Sequence, residues 1–182
     1  MREQLYHATT SNNYETIQKN GFRTMENYST PLVMSGKKRY KKEPGTLGFG
    51  LYGFDSELLA NNFGKEKIPD FKICFFEIDV PNDHLLDFLD KDDRDRYLQY
   101  KQMINNTPIY KELSKVFTNH GSQSSLEGAL LEMYSKEVLQ KKYKFNILCI
   151  RGMTATQITS SKGSFLANGC EYCIKSTSIF IS

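Results

Sequence analysis

Phe71-Lys72-Ile73-Cys74-Phe75-Phe76-Glu77-Ile78-Asp79-Val80, closed by Pro81, is the clearest strand in the chain. β-Branched and aromatic residues dominate it, and a proline cannot continue the ladder. Its first half is apolar on both faces, which predicts a central place in a sheet. Upstream, residues 3–8 alternate, with Leu5 and His7 on one face and Tyr6 and Ala8 on the other. Residues 49–54 interleave glycine with aromatics and read as a strand that something approaches closely. Downstream, residues 145–150 read as a buried strand, and 170–174 and 178–181 as the last strand segments.

Helices fill the intervals. Asn12 and Glu15 form a capping-box-like pair for a helix that Gly21 stops, with Tyr14, Ile17 and Phe22 on its narrow apolar side. Residues 23–47, punctuated by Pro31, Gly36, Pro44 and Gly45, read as a long exposed connection. A short helix follows over 55–64, and residues 83–142 are mostly helical. Residues 90–101 are polar nearly all round and read as solvated. Ser124 opens a strong helix in which Leu126, Ala129, Leu130, Met133, Tyr134 and Val138 recur at helical spacing. In it Glu127 reads as a capping partner and Glu132 as a solvated side chain. Strands at both ends around a helical middle predict α+β architecture, with residues 1–182 as one domain.

Composition narrows the class. A chain of 182 residues can bury about 70% of its unfolded surface in one core. Net charge is only +3, so bulk charge does not mark a nucleic-acid binder. The charge is uneven, however: Lys37, Lys38, Arg39, Lys41 and Lys42 crowd six positions around Tyr40, while residues 90–95 are acidic. No signal-peptide pattern or membrane-length apolar run is evident, which points to a cytoplasmic protein, or one delivered into a target cytoplasm. Cys74, Cys149, Cys170 and Cys173 are too scattered for a disulfide framework. Cys170 and Cys173 would face opposite sides of a strand, and nothing completes a zinc site, so no metal is expected.

Three separated segments carry chemistry: Leu5-Tyr6-His7-Ala8-Thr9, Gly48-Phe49-Gly50-Leu51-Tyr52 and Glu171-Tyr172-Cys173-Ile174. Each sets one reactive side chain among apolar or glycine neighbours. Alone, His7 reads as structural and Tyr52 as core. Glu171 interrupts an apolar strand and would otherwise need a partner. His84 and His120 read as surface residues. In this order the segments resemble the His-Tyr-Glu class of ADP-ribosyltransferases, the diphtheria-toxin and poly(ADP-ribose) polymerase type. His7-Ala8-Thr9 matches that family's His-Gly-Ser/Thr, with alanine in place of glycine; the backbone N–H and C=O are kept and a methyl is added. Gly48, Gly50, Leu51 and Tyr52 match its Gly-x-Gly-Ile/Leu-Tyr strand. Ala60 and Phe63 fall where relatives carry a small residue and a second aromatic, and many polymerase-type members have serine at the first of these.

The resemblance implies a split, two-sheet core and NAD as co-substrate, without a metal. Tyr52 and Phe63 would sandwich nicotinamide, with Ala8, Thr9, Gly50 and Ala60 around it. His7 would hold the adenosine ribose, and Glu171 would face the nicotinamide ribose. Gly169 stands where arginine-directed relatives carry Glu or Gln, which argues against that subgroup. The implied function is transfer of one ADP-ribose unit to a macromolecule, protein or nucleic acid, by a toxin, effector or phage-defence enzyme, for which a cognate inhibitor or antitoxin is a further partner. Lys37, Lys38, Arg39, Tyr40, Lys41 and Lys42 are the candidate acceptor-binding residues; the bland reading of that run is a solvated loop. Two rivals stand beside this: an NAD glycohydrolase on the same fold, and a non-catalytic nucleic-acid or protein-binding module using residues 37–42. An RNA 2′-phosphotransferase of related fold fits less well, because Arg2, Arg23, Arg39, Arg94, Arg96 and Arg151 are dispersed.

Overall fold

The computed structural model describes residues 1–23, 43–117, 119–120, 123–154 and 169–181. The candidate acceptor residues Lys37, Lys38, Arg39, Tyr40, Lys41 and Lys42 therefore lie outside the described residues. Strand β1 (Arg2–Thr10) runs directly into helix α1 (Ser11–Asn20), followed by β2 (Leu51–Phe54), α2 (Glu57–Lys67) and β3 (Phe71–Asp79). A 3₁₀ turn (Asn82–His84) then leads into β4 (Leu85–Asp87), α3 (Lys91–Ile104) and α4 (Pro108–Val116). Two short strands, β5 (Asn119–His120) and β6 (Gln123–Ser124), precede a long rod of α5 (Ser125–Met133), a π-helical stretch (Tyr134–Gln140) and α6 (Lys141–Tyr143). Strands β7 (Cys149–Thr154) and β8 (Gly169–Ile174) and a 3₁₀ turn (Thr177–Ile179) complete the described chain.

The architecture is mixed α+β on one six-stranded sheet, in the order β3-β1-β2-β8-β7-β4. Only β4 and β7 run parallel; every other pairing in this sheet is antiparallel. The two separate sheets expected from the resemblance are thus a single sheet here, but the ladder is uneven. β1 and β3 pair along nine residues, from Arg2↔Asp79 to Thr10↔Phe71, whereas β1 meets β2 at Tyr6↔Phe54 alone. The sheet has two well-laddered blocks hinged at a narrow seam.

The two faces of the sheet are covered separately. Helices α3, α4 and α5 lay Tyr97, Tyr100, Leu113, Leu130, Leu131 and Tyr134 against Ile150 and Cys173 on one face. The opposite face gathers Leu5, Phe76, Ile78, Tyr172 and Ile174. Helix α2 closes a smaller cluster through Leu59 and Ala60 on Phe54.

Several sequence expectations need correction. β3 is an edge strand, not a central one; part of its outer edge is covered where Ile78 bridges Phe180 and Ile181 N–H donates to Glu77 C=O at 3.0 Å. This cover and α2 explain part of its apolar run, while Phe75 is left 52% exposed. The segment over 178–181 is a 3₁₀ turn with that single bridge rather than a strand. The cap of α1 is Thr10, whose hydroxyl accepts from Asn13 N–H at 3.3 Å, so the helix starts earlier than the Asn12–Glu15 pair suggested. Residues 44–49 are largely buried rather than exposed. Within 90–101 Asp90 and Asp92 are exposed, but Asp93 is mostly buried and Tyr97 and Tyr100 are buried. Residue Phe145 is exposed, the buried strand beginning only at Cys149, and β4 was not anticipated. Across these residues, sparse apolar positions proved enough to seat an element whose remaining surface is polar.

Gly128 shows how closely the layers approach. A Cβ added there would lie 1.9 Å from Gly45 C=O, so α5 passes directly under the turn that precedes β2. Helix propensity alone makes Gly128→Ala stabilising by about 1 kcal/mol. The backbone contact reverses the sign: the expected result is a loss of about 1–3 kcal/mol in urea unfolding. A stabilised Gly128→Ala variant would show that the turn yields freely.

Candidate active-site cleft

The cleft opens at the seam. Its volume is about 830 Å³, and its walls include His7, Ala8, Thr9, Gly50, Tyr52, Phe63 and Glu171. These residues come from β1, β2 and its approach, α2 and β8, so the topology gathers positions far apart in sequence. Ala60 is set back from the cleft: it is fully buried beneath α2 against Phe54 and Leu59.

Register explains the gathering. Tyr6 lies opposite Phe54, Phe54 opposite Glu171, and Glu171 opposite Gly152, so one row of positions crosses four strands. Glu171 thus lies at the level of the seam. Phe63 packs against Phe54, ring centroids 5.6 Å apart, which seats it beside the same row.

Tyr52 is held by its own approach loop. Gly45 and Gly48 exchange backbone hydrogen bonds of 3.2 and 2.9 Å, closing a tight turn. The Tyr52 hydroxyl accepts from Leu47 N–H at 3.0 Å and donates to Gly48 C=O at 2.7 Å. Gly48 has φ 94°, a left-handed conformation that costs a side-chain-bearing residue free energy. Gly50 is required for a different reason: a Cβ there would sit 2.5 Å from Ile174 C=O, so the close approach read from the sequence is that of β8. Burial first, then Cys173 and Glu171 nearby, pushes the Tyr52 phenol well above its ordinary range, so it is neutral at physiological pH.

His7 spans the seam. Its Nδ1 lies 2.6 Å from Tyr52 C=O, and since a carbonyl only accepts, Nδ1 carries the proton. In the neutral ring Nε2 is then the acceptor. Phe22 stands edge-on to the imidazole, ring centroids 6.3 Å apart, and stacks on Phe180.

Behind the turn lies a residue that sequence reasoning misplaced. Glu132 is 6% exposed, not solvated. One of its carboxylate oxygens accepts from Phe49 N–H at 2.7 Å and pairs with Lys175. Lys175 in turn donates to Phe49 C=O at 2.6 Å. The signal was present in sequence: Ala129, Leu130, Leu131, Met133 and Tyr134 surround Glu132 on every face of the helix, which marks the whole helix as interior. Glu127, read as a capping partner, forms an ion pair with Lys101 at 2.7 Å. Removing one member of the buried pair strands the other. Glu132→Ala should cost about 3–5 kcal/mol, measured by urea unfolding, with Glu127→Ala as the milder comparison. Equal losses in the two variants would mean that Lys175 finds another partner.

Glu171 is only partly exposed, and burial raises its carboxyl pKa to about 7. In the unfolded chain it titrates in the ordinary carboxylate range. Below that range both states are protonated, and the site costs nothing. As pH rises through about 7 the folded protein must ionise a desolvated group, and stability falls by up to about 3 kcal/mol. The melting temperature of Glu171→Gln should therefore gain on the native protein between about pH 5 and about pH 8. Parallel curves across that interval would place the carboxylate in water.

No protein-family model, curated protein or solved structure matches this chain.

Proposed function

We propose that the protein transfers ADP-ribose from NAD to a macromolecular acceptor, releasing nicotinamide, in the manner of His-Tyr-Glu ADP-ribosyltransferases. The observation that carries this reading is the convergence of His7, Tyr52, Phe63 and Glu171, from four separate elements, on one cleft. Its volume, about 830 Å³, falls within the span typical of small-molecule sites. The donor set suits a flat cationic ring joined to a sugar. Two aromatic rings offer apolar walls, an imidazole with a fixed tautomer offers hydrogen bonding to a ribose, and a carboxylate offers negative charge.

The bond between ribose C1′ and the nicotinamide nitrogen breaks with its electron pair going to the ring, which leaves as neutral nicotinamide. The acceptor nucleophile bonds to C1′ and gives up its proton. Positive charge develops on the ribose meanwhile, as in glycoside hydrolysis. Glu171 stabilises that charge as it appears, which is where an electrostatic contact accelerates a reaction. The pinned Tyr52 ring does its work before the step, by holding the leaving group without reorganisation.

The primary test uses adenine-labelled NAD with total cell lysate. Label retained in macromolecules supports the transferase, and its sensitivity to nuclease or protease identifies the acceptor class. Nicotinamide release without retained label indicates a glycohydrolase. Absence of both removes the reading.

Glu171→Gln should keep the fold and most NAD affinity while losing ~100- to 1,000-fold in single-turnover nicotinamide release. Tyr52→Ala should weaken NAD binding, with Phe63→Ala the milder case. Because activity needs the carboxylate, kcat/KM should rise with pH with a midpoint near the carboxyl's pKa of about 7. The midpoint for kcat should lie lower, because a bound pyridinium favours the ionised acid. Identical midpoints in both profiles would separate the acid limb from Glu171.

A further inference from the structure

The rod formed by α5, the π-helical stretch and α6 ends in a stop unlike the others. Lys144 takes the left-handed conformation, φ 63° and ψ 18°, that glycine or asparagine usually supplies. Its N–H donates to Gln140 C=O at 3.1 Å, and the next N–H, of Phe145, to Leu139 C=O at 2.9 Å. Beyond the stop, Asn146 C=O accepts from His84 Nδ1 at 2.6 Å, and Leu148 N–H donates to His84 C=O at 2.9 Å. The turn is thus tied to the rod on one side and to the start of β4 on the other.

What this fixed turn presents is unusual for a solvated surface. Tyr143 and Phe145 are 51% and 46% exposed. Lys142 Nζ stands 5.0 Å from the Tyr143 ring centroid, over one face of it. Between residues 136 and 146 the chain carries four lysines against one glutamate. Lys141 is paired with Glu137 at 2.7 Å, and among the described residues neither Lys142 nor Lys144 forms an ion pair. A left-handed lysine and two exposed rings are costs that folding does not require.

We infer that residues 141–145 are a docking surface for single-stranded nucleic acid. Exposed aromatic rings interleaved with lysines are the recognition chemistry of unpaired bases and their phosphates: the rings stack bases, and the ammonium groups neutralise the backbone. Rings held on a turn anchored at both ends lose little freedom on binding. A membrane surface is disfavoured because the turn offers two rings without the continuous apolar face that interfacial insertion uses. As a binding surface the turn stands independently; as the acceptor surface of the transferase it rests on the function proposed above. β7 starts beside Ile174, three residues (~10 Å) along the strand from the level of Glu171, so a strand several nucleotides long is needed to reach both.

The test is fluorescence anisotropy of the full chain with a labelled oligothymidylate and a mixed-sequence RNA of about 20 nucleotides, against the corresponding duplexes. Lysines at 37–42 would attract any polyanion, so the rings decide the outcome. Tyr143→Ser with Phe145→Ser should weaken single-strand binding at least about tenfold and leave duplex binding little changed. Lys142→Gln with Lys144→Gln should flatten the salt dependence by about 1.4 in log–log slope. Both pairs are surface changes, and each single ring variant serves as a check if the double variant melts early. Single-strand affinity unchanged in the ring variants overturns the inference. So does equal affinity for duplex and single strand, or ring-dependent binding to phosphatidylcholine–phosphatidylserine vesicles without ring-dependent binding to oligonucleotide. The measurement needs no NAD, so a chain inert toward NAD fails the transferase reading and leaves this one standing. Nicotinamide release without oligonucleotide should be equal in native and ring variants.

Discussion

The placement of the cleft depends on one buried ion pair. Glu132 and Lys175 grip opposite sides of the same peptide segment, the carboxylate at Phe49 N–H and the ammonium at Phe49 C=O. Buried pairs contribute little net stability, because desolvation offsets most of their attraction. Their value here is positional. A polar segment entering the interior between α5 and β8 needs its backbone groups satisfied, and these two side chains satisfy them. From that anchor a short relay runs outward: the turn holds the Tyr52 hydroxyl, and the Tyr52 carbonyl holds His7. The helical layer is thereby connected to β1 across the one place where the sheet is barely paired.

That seam and the carboxylate beside it follow the same logic. Dense laddering between β1 and β2 would fill the space that the cleft occupies. A fully solvated Glu171 would stabilise the fold better at neutral pH, yet in the transferase proposed above it would meet developing charge through water. The protein instead keeps an interrupted ladder and a carboxyl whose ionisation burial opposes. Both are local losses of stability concentrated at one site, the usual signature of a surface shaped for binding or chemistry.

The cleft residues were singled out by the order of three segments that resembles one family; their local patterns alone read His7 as structural and Tyr52 as core. His7 lies in an alternating strand, Tyr52 follows two glycines, and Glu171 breaks an apolar run. Sequence failed where a residue's environment is set by a distant partner. The apolar neighbours of Glu132 mark its helix as interior, but the groups that satisfy its carboxylate, Phe49 N–H and Lys175, lie far away in the chain. The edge position of β3 was hidden similarly, since cover by α2 and by Phe180 produces the same apolar run as a central position. Ala60 stands at the spacing expected from the resemblance, but it is buried in the α2–sheet cluster and does not line the cleft. Phe145 looked like a strand start because it heads the run that continues through Ile147, Leu148, Cys149 and Ile150, while the residue before it is left-handed and the ring is exposed.

Strand order also governs how the molecule comes into being. The first strand of the chain lies inside the sheet, and its neighbour β2 gains four ladder partners only from β8. Lys175, which secures the turn before Tyr52, follows directly after β8. A nascent chain that has not yet extruded this stretch has neither Glu171 nor the anchor of the Tyr52 platform. Contacts of such long sequence separation close late and slowly. The cleft is therefore complete only once synthesis has passed residue 175.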